Sequence, residues 1–376
     1  MRILLIAGAY PPIKCGVGDY TAELARALAR RDDVVVSVMT DVAARASSEL
    51  DAAVELQAVI DGWRFSEFPA IIDRIVSWRA DIVHMQFGSS RYRRKLLPWF
   101  MPAALRYHSL RVVQTWHEWP EDVARFFRNL PNALTPGGLV VVKEEIERSM
   151  SNWNRRLIRN KHFRFIPNAS VIPRVPLTDT TRAVVRRSIA PSATNFVAFF
   201  GFANARKGVE TLFEILDPNA SFLVLMCDLD ARDNYHRRLL DTINSDRWRG
   251  RVAVTGFLPP LDAGRLLAAV DAVALPFPGG GGTWSTSAHA AIAQGTFLLA
   301  TSHSRHGYNP EENAYYARPG DIADMRSALR TYMGYRIDPG NTQSRQWTNI
   351  ADAHVALYRE ILVHSPGDAQ GRRCPA

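Results

Sequence analysis

The chain is poor in cysteine. It has three in 376 residues, Cys15, Cys227 and Cys374, odd in number and far apart. Such a set gives neither a disulfide framework nor the paired spacing of a zinc site, and it points to a reducing cytoplasm. No run approaches the ~20 uninterrupted apolar residues that a spanning helix needs. The opening MRILLIAGAYPP has one arginine and a short apolar run that leads straight into a turn and a helix pattern, so it reads as a first buried strand rather than a secretory leader. The net charge of +9 favours anionic partners. Zinc-finger spacing, RNP-type aromatics and a helix-turn-helix are missing, so nucleic acid is not an expected partner. Also missing is a Gly-Lys-Ser/Thr ending that would make a P-loop of any glycine stretch.

What is present is an ordinary globular composition, 47% apolar and 22% charged, in a chain long enough for two cores. Short β-rich runs alternate with helix-period segments. In the first half they are 2–9, 34–40, 81–87, 111–116, 138–142 and 163–167, with a helix from Asp19 whose Leu24, Ala27 and Leu28 share one face. The rhythm restarts at 195–202 and continues through 221–228, 251–257, 271–277 and 296–302. Continuous apolar strands separated by helices imply parallel sheets covered on both faces. An extended, proline-bearing stretch at 169–185 suits a linker, and 343–364 reads as a terminal helix with Ile350, Ala353, Leu357 and Ile361 in one stripe. The expected organisation is α/β: a Rossmann-like domain over 1–170, a second over 171–342, the terminal helix over 343–364 returning to the first, and a flexible tail over 365–376.

Open parallel sheets bind ligands beyond the carboxyl ends of their strands, which directs attention to four loops. AYPPIKCGVGDY places Gly16 and Gly18 at a helix start, where a backbone can approach an anion; a tight strand-to-helix turn is the competing reading. TWHE ends a strand at His117, a donor or acceptor near neutral pH, followed by Glu118. Glu121 and Asp122 suit a helix start through its dipole. FGFANARKGVETL sets Arg206 and Lys207 side by side before a helix, an arrangement that calls for a balancing anion such as a pyrophosphate. PFPGGGGTWSTSAHAAIAQG (276–295) leads through four glycines into a helix N-terminus, a cradle for an anion, without one Asp, Glu, Lys or Arg.

The order of PPxxxGVGxY, DIVHMQF, TWHE, FIPN, GxxxxRKGVETL, VTGFLPP, DAVALPF, AIAQG and ENxxYxxPGD resembles a GT-B glycosyltransferase of the retaining family 4 type, over nearly the whole chain to about residue 362. The resemblance implies two Rossmann-like domains facing across a cleft, a nucleotide-diphosphate sugar as donor, a hydroxyl acceptor, and neither cofactor nor metal. It implies that Gly16 and Gly18 lie near the donor phosphates, that His117 faces the donor sugar, and that Lys207 neutralises the leaving diphosphate. Trp284, Ser285 and Thr286 fall where backbone N–H groups touch the distal phosphate, and Asn313 with Pro319-Gly320-Asp321 where the nucleotide side closes. The arginine usual after Gly201 is Phe202, which leaves Arg206 to supply the second cation. The glutamates spaced eight apart in the family would fall at Gly282 and Ala290, so Ser285, Thr286, Ser287 or His289 would have to replace their hydrogen bonds.

Arg91, Arg93, Arg94 and Lys95 precede Leu96, Leu97, Trp99, Phe100 and Met101. Basic residues beside an apolar patch suit contact with an anionic membrane surface at the inner face and a lipid-linked acceptor or polysaccharide precursor; a helix packing its apolar side on the sheet is the other reading. The absent carboxylates keep two alternatives to transfer open: a non-catalytic sugar-nucleotide-binding protein, and a sugar-nucleotide epimerase on the same fold.

Overall fold

The computed structural model describes residues 1–46, 52–92, 95–119, 123–144, 146, 150–191, 193–281, 284–339 and 346–363. They form two compact units, one running to Asn168 and taking in the terminal helix, the other starting at Ala169.

In the first unit, strands β1 (Arg2–Ala7), β2 (Val35–Asp41), β3 (Val54–Ile60), β4 (Ile82–Phe87), β5 (Val112–Trp116), β6 (Gly137–Val141) and β7 (Lys161–Phe165) form one sheet in the order β3-β2-β1-β4-β5-β6-β7. Every pairing is parallel. Ile3 to Ile6 are fully buried, as expected for a central strand covered on both faces. Strand β3 is an addition to the sequence reading: VELQAVI mixes polar and apolar positions because it lies at the sheet edge. Helices α1 (Gly16–Ala29), α2 (Phe68–Ser77), α3 (Leu97–Tyr107), α4 (Val123–Leu134) and α5 (Asn152–Leu157) connect the strands. Leu24, Ala27 and Leu28 of α1 are all buried.

The second unit repeats the design. Strands β8 (Asn195–Phe200), β9 (Ser221–Met226), β10 (Val252–Val254), β11 (Ala272–Leu275), β12 (Leu298–Thr301), β13 (Gly307–Asn309) and β14 (Ala314–Ala317) are ordered β10-β9-β8-β11-β12-β14-β13. All are parallel except the β13–β14 hairpin, whose strands are too short to show in a hydrophobic pattern. Its helices are α6 (Asp179–Ile189), α7 (Glu210–Ile215), α8 (Asn234–Ile243), α9 (Pro260–Ala269), α10 (Thr286–Ala293) and α11 (Ile322–Tyr332). The expected linker is therefore shorter than 169–185, because α6 starts at Asp179 with the Thr178 side chain as its N-cap.

Helix α12 (Trp347–Val363) packs on α1, β6 and β7 of the first unit. Of the expected stripe Ile350, Leu357 and Ile361 are buried and Ala353 is exposed; Ala351, His354, Val355 and Tyr358 complete the buried face, which thus carries two polar groups inward. The tail lies outside the described residues.

In each sheet the order of the parallel strands reverses at one place, between β1 and β4 and between β8 and β11. At such a switch point adjacent loops depart in opposite directions and leave a crevice beyond the carboxyl ends.

Candidate functional site

The loop after β1 and the loop after β4 meet at the first crevice. A β-carbon on Gly8 would lie 2.7 Å from Tyr92 Cε1 and 2.8 Å from Ser89 Oγ, so only glycine lets these loops close on each other. Gly18 packs against the same loop, where a β-carbon would lie 3.0 Å from the Ala9 carbonyl oxygen, while Gly16 opens onto free space. The Cys15 side chain makes no cap to α1.

His117 follows β5 directly and is partly buried. Its backbone N–H donates to the Phe87 carbonyl (3.2 Å). Gly88, at φ +122°, lies beneath it: a β-carbon there would lie 3.1 Å from His117 Cβ and 3.5 Å from Val17. Thus α1, β4 and β5 each contribute to the seat of this ring. Its edge meets Tyr20 at a centroid distance of 4.7 Å, and its Nε2 is 3.0 Å from Gln86 Oε1. Burial, reinforced by His354 and Lys143, pushes the imidazole down to about 3, so it is neutral at physiological pH. Glu118, next in the chain, is exposed.

At the second crevice Gly201 ends β8 with φ +137°, and a β-carbon there would lie 3.0 Å from Ser287 Oγ. The strand end therefore abuts the first turn of α10. Arg206 and Lys207 lie on a short 3-10 turn, Ala205–Lys207, capped by the Asn204 side chain and closed by Gly208 in the left-handed region. Gly208 presses on the Pro276–Pro278 segment after β11. This places the Lys207 ammonium 3.9 Å from the Phe277 ring centre and 5.7 Å from that of Trp284. Two aromatic faces hold the cation by its charge, an interaction worth about 0.5 to 2 kcal/mol. The Arg206 side chain is exposed.

The glycine stretch is tied down at its base. Gly281 N–H donates to the Thr301 carbonyl (2.6 Å) and Gly280 N–H to that of Phe277 (2.9 Å). Gly282 lies outside the described residues. Ser285 is the N-cap of α10, its hydroxyl accepting from Ala288 N–H at 3.3 Å; Thr286 opens the helix and Trp284 precedes the cap. The N-terminus of α10, the Gly201 strand end and Lys207 are thus gathered at one switch point, a positive end facing a positive side chain, which suits an anion. Position 290, fully buried, is an alanine.

Asn313 is not part of this group. It stands at the amino end of the sheet, where its carbonyl accepts from Leu298 N–H at the start of β12 (2.9 Å). Its amide nitrogen donates to the carbonyls of Gly295 (3.1 Å) and Tyr335 (2.8 Å), and its amide oxygen accepts from Tyr308 Oη (2.8 Å). Fully buried at φ +48°, it holds the β13–β14 hairpin. Asp321 N-caps α11, accepting from Asp324 N–H. Conversely, Tyr20, Gln86 and Phe277, which fall within the quoted motifs without a role of their own, and Gly88, which falls in none, line these crevices.

The basic patch is also narrower than its sequence. Leu97, Trp99 and Met101 lie on the buried face of α3, leaving Leu96 and Phe100 exposed; Arg93 and Arg94 lie outside the described residues. Among the described residues no helix is long and apolar enough to cross a membrane.

Two seven-stranded, largely parallel sheets with helical connections define the GT-B fold. Nothing matches the chain among protein-family models or curated proteins. Among solved structures it is similar to sucrose-phosphate synthase from Thermosynechococcus elongatus (TM-score 0.76, 17% identity, covering 97% of this chain and 100% of that one). It is also similar to a glycosyltransferase from Rickettsia africae (0.72, 14%, 97% and 99%) and to Anabaena HepE in complex with UDP and glucose (0.65, 16%, 96% and 98%). At these identities the likeness is one of fold.

Proposed function

We propose that the chain is a retaining glycosyltransferase that moves a sugar from a nucleoside-diphosphate donor to a hydroxyl acceptor. The observation that carries this reading is Lys207, held by Phe277 and Trp284 beside the N-terminus of α10 at the β8/β11 switch point. The bond from the anomeric carbon to the diphosphate oxygen breaks, a bond to the acceptor oxygen forms on the same face, and the acceptor proton passes to the departing phosphate. The chief demand is stabilisation of charge on the leaving group, where a preorganised donor contributes roughly 3 to 4 kcal/mol. Lys207, the α10 amides and Arg206 meet that demand. His117, neutral, binds a hydroxyl of the donor sugar, and Gly16 leaves room for the ligand at α1 while Gly18 lets the helix start close on Ala9. That HepE is held with UDP-glucose supports a nucleotide sugar as donor.

Thermal-shift screening against UDP, GDP, ADP and TDP, followed by turnover of the corresponding sugar donors, tests the proposal, since a ligand of the folded state raises the midpoint by mass action. A midpoint unmoved by all four would contradict it. A second reading, sugar-nucleotide binding without transfer, is favoured by the buried Ala290 where a glutamate would orient the donor. Binding with no release of sugar from any donor would select it. On the acceptor side, Lys95, Leu96 and Phe100 support peripheral contact with an anionic membrane, which co-sedimentation with phosphatidylglycerol vesicles would detect.

A further inference from the structure

Behind His117 lies a line of buried polar side chains. Gln86, His84, Thr115 and Tyr358 are all fully buried. The Gln86 amide reaches His117 on one side (Oε1 to Nε2, 3.0 Å) and His84 on the other (Nε2 to Nε2, 3.3 Å). His84 Nε2 also meets Thr115 Oγ1 (2.7 Å), and its Nδ1 meets Tyr358 Oη on α12 (2.6 Å).

The protons on this line follow from what each group can do. An amide nitrogen only donates, so His84 Nε2 accepts and its proton sits on Nδ1, donating to Tyr358 Oη. An amide oxygen only accepts, so His117 Nε2 carries the proton and Nδ1 keeps the ring's lone pair. Inside a dry core each such bond is strong and each omission costly, so the orientation of the Gln86 amide sets both tautomers together, and the amide turned about would reverse them both.

We infer that Gln86 is a positioning residue that locks His117 in the Nε2–H tautomer, presenting Nδ1 as an acceptor, while His84 and Tyr358 anchor the amide from behind. The catalytic consequence rests on the transferase reading; the tautomer itself does not. An acceptor nitrogen takes a hydrogen bond from a sugar hydroxyl, where an N–H would be offered only a lone pair. Burial of the ring keeps it unprotonated, so this acceptor persists across the physiological range. The groups that bear on it are Tyr20 from α1, His84 from β4, His354 from α12 and Lys143 after β6, none of which is a carboxylate.

The test is the nitrogen spectrum of imidazole-labelled protein without ligand, a readout independent of any donor. The Nε2–H form of His117 should exceed the other by about five- to tenfold, as one net hydrogen bond implies, and His84 should be in the Nδ1–H form. Gln86→Leu should turn His117 into a mixture. Should that variant not fold, Gln86→Glu keeps an acceptor opposite Nε2 and, by its charge, should raise the pH at which His117 protonates. His117 in the Nδ1–H form in the wild type, or an unchanged His117 spectrum in folded Gln86→Leu, would overturn the inference. If the tautomer is as stated and no nucleotide binds, the inference stands and the transferase reading falls.

Discussion

A β-carbon on Gly208 would lie 2.6 Å from the carbonyl oxygen of Pro276. The contact fixes the loop carrying Lys207 to the segment carrying Phe277, and φ of +59° at Gly208 is the turn that makes it. Gly208→Ala should therefore cost about 1 to 3 kcal/mol of stability, read as a lower denaturant midpoint, and weaken nucleotide binding in the fraction that folds. A variant as stable as wild type would show that the loop is not held as described.

Gly88 plays the corresponding part beneath His117. With φ at +122° and a β-carbon destined for 3.1 Å from His117 Cβ, Gly88→Ala should shift the imidazole. If His117 contacts the donor sugar, turnover should fall by tenfold or more while affinity for the bare nucleoside diphosphate changes little, because a misplaced positioning group is felt mainly at the reacting centre. Equal losses in both would place His117 elsewhere in the cycle.

Helix α12 belongs energetically to the first unit through its apolar side. Ile361 is buried, and its Cδ1 lies 2.8 Å from where a β-carbon on Gly138 would be. Ile361→Ala should lose about 2 to 4 kcal/mol. Glu360 bonds His162 (2.8 Å) and Arg164 (2.7 Å) at the surface, so Glu360→Ala should lose less than about 1 kcal/mol. Urea titrations of the two variants would reverse this order if ion pairing, not burial, held the helix.

The buried imidazoles make stability depend on pH in a defined direction. Burial holds His84 well below the usual value, His117 at about 3 and His354 at about 4, against about 6.5 when unfolded. Between those values the unfolded chain binds more protons, so stability rises with pH and is lost as pH falls below about 6.5. Carboxylates with lowered values, such as Asp33 and Glu67, act further down, and Lys161, held at about 7 by burial, acts mainly above, so the urea midpoint between about pH 6.5 and 5 reports chiefly on the histidines. A flat midpoint over that window would mean that these rings titrate normally.

Much of this was legible in the sequence, and the limits have physical causes. Strands such as β1 and β9 are buried on both faces and show as nearly unbroken apolar runs. β3 does not stand out because an edge strand mixes polar and apolar positions, and β13 and β14 do not because three or four residues hold no period. Gly16, Gly18, His117 and Lys207 could be placed at strand ends from the strand–loop–helix rhythm. What the rhythm omits is lateral neighbourhood: Gln86 pairs with Thr115 across two strands, which sets it against His117, two residues further on. Asn313 fails for the same reason, since chain position near a family-like motif says nothing about which end of the sheet the residue occupies. Alanine suits either face of a helix, so the pattern does not show that Ala353 faces out while the polar His354 and Tyr358 are buried.

In the proposed transferase, Lys207 holds the diphosphate of a nucleotide donor. Calorimetric titration of UDP, GDP, ADP and TDP into wild type and into Lys207→Ala, each checked for folding by circular dichroism, tests it most directly. Wild type should bind one of the four, and the variant should bind it at least tenfold more weakly, since a charged hydrogen bond contributes about 1.5 to 3 kcal/mol. No binding to wild type, or equal affinity in the folded variant, would contradict the claim.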